Sequence, residues 1–342
     1  MDDEHVWERY SRQMLFAPVG REGQKRLLDS RVAVIGLGAL GTVLANNLAR
    51  AGVGYLKLVD RDFVEASNLQ RQILFDESDV EDNLPKSIAA VNKLKKINSQ
   101  IRYEGLVEDL NFTNIFDILE DIDLVVDGTD NLETRYLMNE ACVKLKLPWI
   151  HGACAAGSGT AFTIRPGETA CFACLWGEAG GQLGETCDTA GILGPLPSIV
   201  ASLQSVEAIK LLTGASAALQ GKLLFFDVWE NSITCAEVPK RDGCRVCSRE
   251  DFQYISGEKQ LRSTYLCGRD AVQVLPPVKL SLSLKDLGEK LAPLGRVFVS
   301  PYLVKFSTGP HELIIFSDGR ALVKGTSDEK IARSLYSRYL GA

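Results

Sequence analysis

The chain has 342 residues, 46% of them hydrophobic and 24% charged, with a formal net charge of -6. That size sets an expectation of one large domain, or one domain with a small appendage. The negative balance and the lack of any Lys/Arg-rich block argue against a nucleic-acid-binding face.

The start, MDDEHVWERYSRQ, is acidic and polar, unlike a secretory signal. The longest apolar stretches, Val32–Ala49 and Thr189–Val206, contain Gly, Pro, Asn, Gln or Ser, which suits a strand–turn–helix and a loop–helix better than a membrane span. Nine cysteines without a secretory signal point to a reducing, cytoplasmic setting, where metal or catalytic roles outrank disulfides.

Val32-Ala33-Val34-Ile35 is a short apolar run suited to a strand buried on both faces of a parallel sheet. Gly36-x-Gly38-x-x-Gly41 follows at once, and Thr42 to Ala51 reads as a helix. Gly36 permits a tight turn, Gly38 lets a phosphate approach the backbone, and Gly41 lets helix and strand pack closely. The helix start then offers N–H groups and partial positive charge to that phosphate. A second strand, Tyr55 to Val59, ends at Asp60, whose carboxylate can accept bonds from ribose hydroxyls. Strand, glycines, helix and acid in this order predict nucleotide binding.

Further along, 86–98 reads as helical, 101–107 as extended, 111–119 as helical and 124–127 as a buried strand. A helix over 132–146 and a strand opening at Trp149-Ile150-His151 continue the alternation, which predicts a Rossmann-like, doubly wound, mainly parallel α/β sheet. A helix over 198–213 and a strand over 223–228 complete a first domain of 1–248. The polar stretch 249–264 reads as a linker. The tail, 265–342, reads as a small α+β domain with strands near 271–275, 296–306 and 312–316 and helices near 284–291 and 328–339.

Two C-x-x-C pairs, Cys171/Cys174 and Cys244/Cys247, supply four sulfurs for a tetrahedral thiolate site. Four protein ligands leave no open position, so a structural zinc is expected; two redox dithiols or an iron–sulfur cluster are the alternatives.

Asn68, Gln70 and Arg71 lie in the loop after the acid-tipped strand, Lys86 opens the next helix, and Asp130 follows the strand ending at Asp127. Strand order brings these loops to one crevice. There Arg71 and Lys86 can neutralise a triphosphate, and Asp130 can hold Mg2+ against it.

The chain resembles the ThiF/MoeB/HesA family, bacterial relatives of ubiquitin-activating enzymes, over roughly residues 9–248. The resemblance rests on Arg9-Tyr-Ser-Arg12-Gln, Gly36–Gly41, Asp60-x-Asp62, Ser67-Asn68-Leu-Gln70-Arg71-Gln, Pro85-Lys86, Thr129-Asp130-Asn131, the two cysteine pairs and Thr186-Cys187-Asp-Thr-Ala-Gly-Ile. Ala39 stands where some relatives have a third glycine, and a methyl group there is tolerable. The resemblance implies ATP-dependent adenylation of the Gly-Gly C-terminus of a small ubiquitin-like sulfur-carrier protein, giving an acyl adenylate and pyrophosphate. It implies that Arg71 and Lys86 supply charge and Asp130 the metal contact. Arg12 would reach into a neighbouring subunit's site, which implies a homodimer.

An attacking α-carboxylate is already ionised at neutral pH, so no general base is needed, in keeping with only three histidines. Cys187 lies in a Gly-rich stretch before a helix, where a thiol can be nucleophilic. In thiamine-pathway relatives the matching cysteine can bond to the activated carrier. The stretch around Cys187, Pro85-Lys86 and the extension from Tyr265 resemble thiamine-type members better than molybdopterin-type ones. The tail has no rhodanese-like active-site loop, so sulfur is expected from a separate protein of the cysteine desulfurase or rhodanese type. An NAD-dependent dehydrogenase would also carry Gly36–Gly41 and Asp60, and a non-catalytic scaffold could retain the fold. Neither explains Arg71, Lys86, Asp130 and the paired cysteines together.

Overall fold

A computed structural model describes residues 3–177, 191–259, 263–266, 271–276 and 280–341. The chain divides into two compact units, Met1–Glu258 and Lys259–Ala342. The division falls inside the stretch read as a linker.

The first unit opens with helices α1 (Asp3–Met14) and α2 (Gly20–Asp29). There follow β1 (Arg31–Ile35), α3 (Ala39–Ala51), β2 (Tyr55–Val59), α4 (Glu77–Glu81), α5 (Lys86–Ile97) and β3 (Arg102–Leu106). Next come α6 (Ile115–Leu119), β4 (Leu124–Asp127), α7 (Leu132–Leu145), β5 (Trp149–Ala155) and β6 (Ser158–Ile164). A short α8 (Phe172–Trp176), the long α9 (Pro195–Thr213), β7 (Leu223–Asp227) and β8 (Ser232–Ala236) complete it.

The eight strands form one sheet in the order β3-β2-β1-β4-β5-β6-β7-β8. Pairing is parallel from β3 through β5 and antiparallel from β5 through β8. The inner parallel strands β1, β2 and β4 are mostly apolar on both faces because helices cover both, whereas the edge strand β3 is polar and partly exposed. Val32, Val34, Leu56, Leu58 and Val126 pack with Leu44, Leu48, Leu94 and Val200 on one face. Ala33, Ile35, Val59, Val125 and Trp149 pack with Ile115, Met138 and Phe172 on the other. Strand order reverses between β1 and β4, so the loops leaving their C-terminal ends part to form a crevice.

Two expected elements are corrected. The helix expected over 111–119 covers only Ile115–Leu119. Its first residues are drawn into a side-chain turn in which Asn111 Oδ1 accepts from Thr113 N and Asn114 Oδ1 accepts from Asn111 N. No helix among the described residues is long and apolar enough to cross a membrane.

The second unit contains β9 (Ser263–Leu266), β10 (Ala271–Val274), helix α10 (Leu284–Leu291), β11 (Arg296–Val299), β12 (Leu303–Thr308), β13 (His311–Phe316), β14 (Ala321–Lys324) and helix α11 (Glu329–Leu340). Its antiparallel sheet runs β11-β12-β13-β14-β10-β9. Val272, Val304, Phe306, Leu313, Ile315 and Val323 form its core with Leu287 and Leu291 of α10 and Tyr336 and Tyr339 of α11. Here lies the second correction: the single strand expected over 296–306 is a hairpin, β11 and β12. Pro301 has no N–H for a ladder, and Ser300 Oγ accepts from Tyr302 N and Leu303 N to close the turn.

Candidate active site

The glycine-rich turn sits at the switch point because three glycines remove the side chains that would hold it open. Gly36 has φ +84, and a Cβ there would lie 2.8 Å from the Gly128 carbonyl carbon. A Cβ on Gly41 would lie 1.8 Å from the Gly36 oxygen. The loops after β1 and β4 therefore touch through bare backbone, and β1 and α3 pack directly. Gly38 is different: the nearest atom to a Cβ there is 3.9 Å away, so space remains above it. Gly38 caps α3 with no side-chain bond, and Ala39 opens the helix.

Asp60 organises the next loop. Its two carboxylate oxygens accept from Leu37 N at 2.6 Å and Asp62 N at 2.7 Å, tying the glycine turn to the segment after β2. Burial lifts its carboxyl above the ordinary value, against the pull of Lys86. Lys86 begins α5, its N–H donates to Asp62 O, and its ammonium lies 3.5 Å from Asp62 Oδ2 with the side chain only 4% exposed.

Arg61 is a residue that sequence reading missed. It donates to Asp109 Oδ1 at 2.9 Å and its Nε is 3.9 Å from Asp62 Oδ1. Burial works against its charge, but Asp109, Asp62 and then Asp130 raise its pKa above the usual guanidinium value. Only its place between two acids could have marked it in the sequence.

The segment from Ser67 to Gln72 is held by its own short bonds. Asn68 is buried and its Oδ1 accepts from Glu65 N, so it shapes the loop. Arg71 is half-buried and donates to Ser67 O at 3.0 Å. Ser67 and Gln70 are exposed, and Gln70 lies against Gly194 at the start of α9.

After β4, Asp130 is exposed, while Asn131 caps α7 by accepting from Thr134 N. The loop stands on a buried network. Asp127 accepts from Thr129 N, Thr129 Oγ1 and Arg135 Nε, and lies 2.9 Å from His151 Nδ1. Burial opposes the Asp127 carboxylate, but Arg135, His151 and Thr129 hold its pKa down at about 2. Burial also lowers the His151 imidazole, an effect that Asp127 opposes and Arg135 strengthens.

That arrangement makes stability depend on pH. The unfolded chain protonates His151 near pH 6.5, whereas the folded pKa is lower. The stability carried by the neutral ring is therefore complete above that pH and is lost as pH falls below it. The unfolding midpoint is expected to drop as pH falls below about 6.5, with a shallower slope in His151→Gln. Parallel slopes in thermal melts of the two proteins would remove His151 as the cause.

Arg12 is not brought to this crevice within one chain. It is exposed on α1 and has no ion pair among the described residues. Its neighbour Gln13 donates to Ala51 O at the far end of α3, about 18 Å along that helix from the glycine turn. Cys187 lies outside the described residues.

The four paired cysteines do converge. Sγ separations are 3.8 Å for Cys171–Cys174, 3.7 Å for Cys171–Cys244 and 3.5 Å for Cys174–Cys247, and all four sulfurs lie within 4.8 Å of one another. A tetrahedral ion with 2.3 Å bonds to sulfur needs edges of about 3.8 Å. The thiols thus fit zinc, with Cys171, Cys174 and Cys244 buried.

Comparison with known proteins agrees with this geometry. The ThiF family model matches residues 10–246. The chain is 44% identical over 336 residues to a sulfur carrier protein ThiS adenylyltransferase from Bacillus subtilis, covering 97% of this chain and 99% of that one. It is 40% identical over 240 residues to the protein of the same name from Escherichia coli, covering 70% of this chain and 94% of that one. Among solved structures, Escherichia coli MccB with ATP has a TM-score of 0.61 and 25% identity, covering 70% of this chain and 73% of that one. The chain belongs to the ThiF family.

Proposed function

We propose that this protein adenylates the C-terminal glycine carboxylate of a small ubiquitin-like sulfur carrier, consuming ATP and releasing pyrophosphate, for sulfur transfer in thiamine biosynthesis. The observation that carries this reading is the meeting of the Gly36–Gly41 turn, Lys86 and the Asp130 loop at one switch point. It is supported by relatives that carry the adenylyltransferase name, one of them matched over nearly the whole chain.

A carboxylate oxygen of the carrier attacks the α-phosphorus, forming the acyl-phosphate bond as the bond to the bridging oxygen breaks and pyrophosphate leaves. The nucleophile arrives ionised, so the protein's task is alignment and charge. The turn at Gly38 and the start of α3 receive phosphate, Asp60 lies where a ribose would meet the end of β2, and Lys86 and Arg71 neutralise the departing pyrophosphate. Asp130, an exposed carboxylate at the crevice, would hold Mg2+, which would supply positive charge to the phosphates. Arg12 completes the site from the second copy of a homodimer. The zinc held by Cys171, Cys174, Cys244 and Cys247 is structural. The Cys187 thiolate takes the carrier's acyl group from the adenylate, forming a thioester as the acyl–phosphate bond breaks and AMP leaves, before a separate sulfur-donating protein supplies sulfur. The cytoplasm provides the ATP and reduced thiols this chemistry needs.

The test is ATP–pyrophosphate exchange with a panel of carriers ending in Gly-Gly. Exchange should be strongest with a thiamine-type carrier. Equal or greater exchange with a molybdopterin-type carrier would overturn the thiamine assignment.

A further inference from the structure

Within two turns, α7 touches both halves of the cysteine site and the loop that bears Asp130. Arg135 donates to the Asp127 carboxylate, Thr129 O and Gly152 O, fixing the loop after β4. Asn139, fully buried, accepts from Phe172 N, the residue after Cys171. Tyr136 packs edge-on against Phe172 with ring centroids 5.1 Å apart and stacks on Tyr254 at 5.2 Å.

Glu140 does the most. Its fully buried carboxylate accepts from Arg245 Nη2 at 2.7 Å, and Arg245 lies between Cys244 and Cys247. The same carboxylate accepts from Gln253 N at 3.2 Å, Tyr254 N at 2.7 Å and Ile255 N at 3.1 Å. Arg245 is itself buried and donates to Asp251 O.

A carboxylate without water is costly unless its lone pairs are filled, and here four donors fill them. All four come from the second cysteine pair and the segment after it. Groups that orient metal ligands control both affinity and geometry at the site. Five residues along a helix span only about 7.5 Å, and a close-packed interior transmits a shift over that distance.

We propose that Glu140 and Arg245 are positioning residues for the four-cysteine metal site, and that α7 carries the order of that site to the Thr129–Asp130 loop. The cysteine site therefore acts on the nucleotide crevice as well as closing the end of the first unit. This coupling does not depend on which carrier or nucleotide the protein uses.

The test compares zinc-loaded full-length protein with Glu140→Gln, which keeps side-chain volume and removes the charge. Zinc transfer to a chromophoric chelator should be about tenfold faster. Amide exchange at Gly128–Asn131 should rise about fivefold, while exchange in the strand Tyr55–Val59 is unchanged. Unchanged zinc transfer would overturn the role of Glu140. Faster transfer with an unchanged loop, or a uniform rise that includes Tyr55–Val59, would overturn the coupling. Should Glu140→Gln fail to fold, Arg245→Lys keeps the charge, loses the planar fork and is read in the same way.

Discussion

Lys86→Met is expected to lower carrier-dependent ATP–pyrophosphate exchange by roughly 10²–10³-fold while leaving the fold in place. The ammonium is nearly solvent-free and rests 3.5 Å from Asp62. In so dry a position a charge interacts strongly with whatever enters, and a triphosphate brings several negative charges to it. Methionine keeps most of the stem that packs at the start of α5, so little apolar contact is lost. Asp62 keeps a second cation, Arg61, 3.9 Å away, which limits the cost of leaving it unpaired by Lys86. Arg71→Ala should reduce exchange less, because Arg71 is half-buried and its charge is better screened. Exchange in Lys86→Met equal to wild type would remove this residue from the reaction.

Removing the metal is expected to have the largest effect on stability. Cys174→Ser takes away one of four converging sulfurs, in a cluster where Cys171 and Cys244 are also buried. Structural zinc sites contribute their binding energy to folding. The variant should bind little zinc by elemental analysis, and its unfolding midpoint should fall by about 10 °C or more. Prolonged chelation of the wild-type protein should reproduce that fall. A metal-free sample melting at the same temperature as the loaded one would show that the thiols do not depend on an ion.

The parts legible in the sequence were those whose physical cause is local. Val32–Ile35, Tyr55–Val59 and Leu124–Asp127 announce themselves because strands covered on both faces are mostly apolar. The glycine turn was legible because only glycine fits the backbone contact of Gly36, Gly41 and Gly128. Strand β8 was not, because its residues Ser232–Ala236 are all exposed at a sheet edge and no buried face marks them. The Arg296–Phe306 run was misread as one strand because Ser300-Pro301 interrupts an otherwise β-forming sequence.

The cysteine pairs could be joined on paper because their spacing carries the chemistry. The supports of the site could not. Arg61 acts through Asp109, and Glu140 acts through Arg245 and the backbone of 253–255, partners that only the folded sheet brings near. Asn68 and Asn131 carried a nucleotide expectation, yet the bonds they make here are a loop bond and a helix cap. Short polar side chains serve both tasks, and sequence spacing does not separate them.

The central claim is that this crevice turns ATP into an activated carboxylate. The most direct measurement is mass spectrometry of a Gly-Gly-ended carrier after incubation with the protein, ATP and Mg2+, with pyrophosphatase added to draw the reaction forward. A carrier gaining one adenylyl group (AMP less one water) at its C-terminal glycine, with none on a carrier whose C-terminus is amidated, is the predicted result. An unmodified carrier in the presence of bound ATP, or a protein that binds NAD and not ATP, would contradict it.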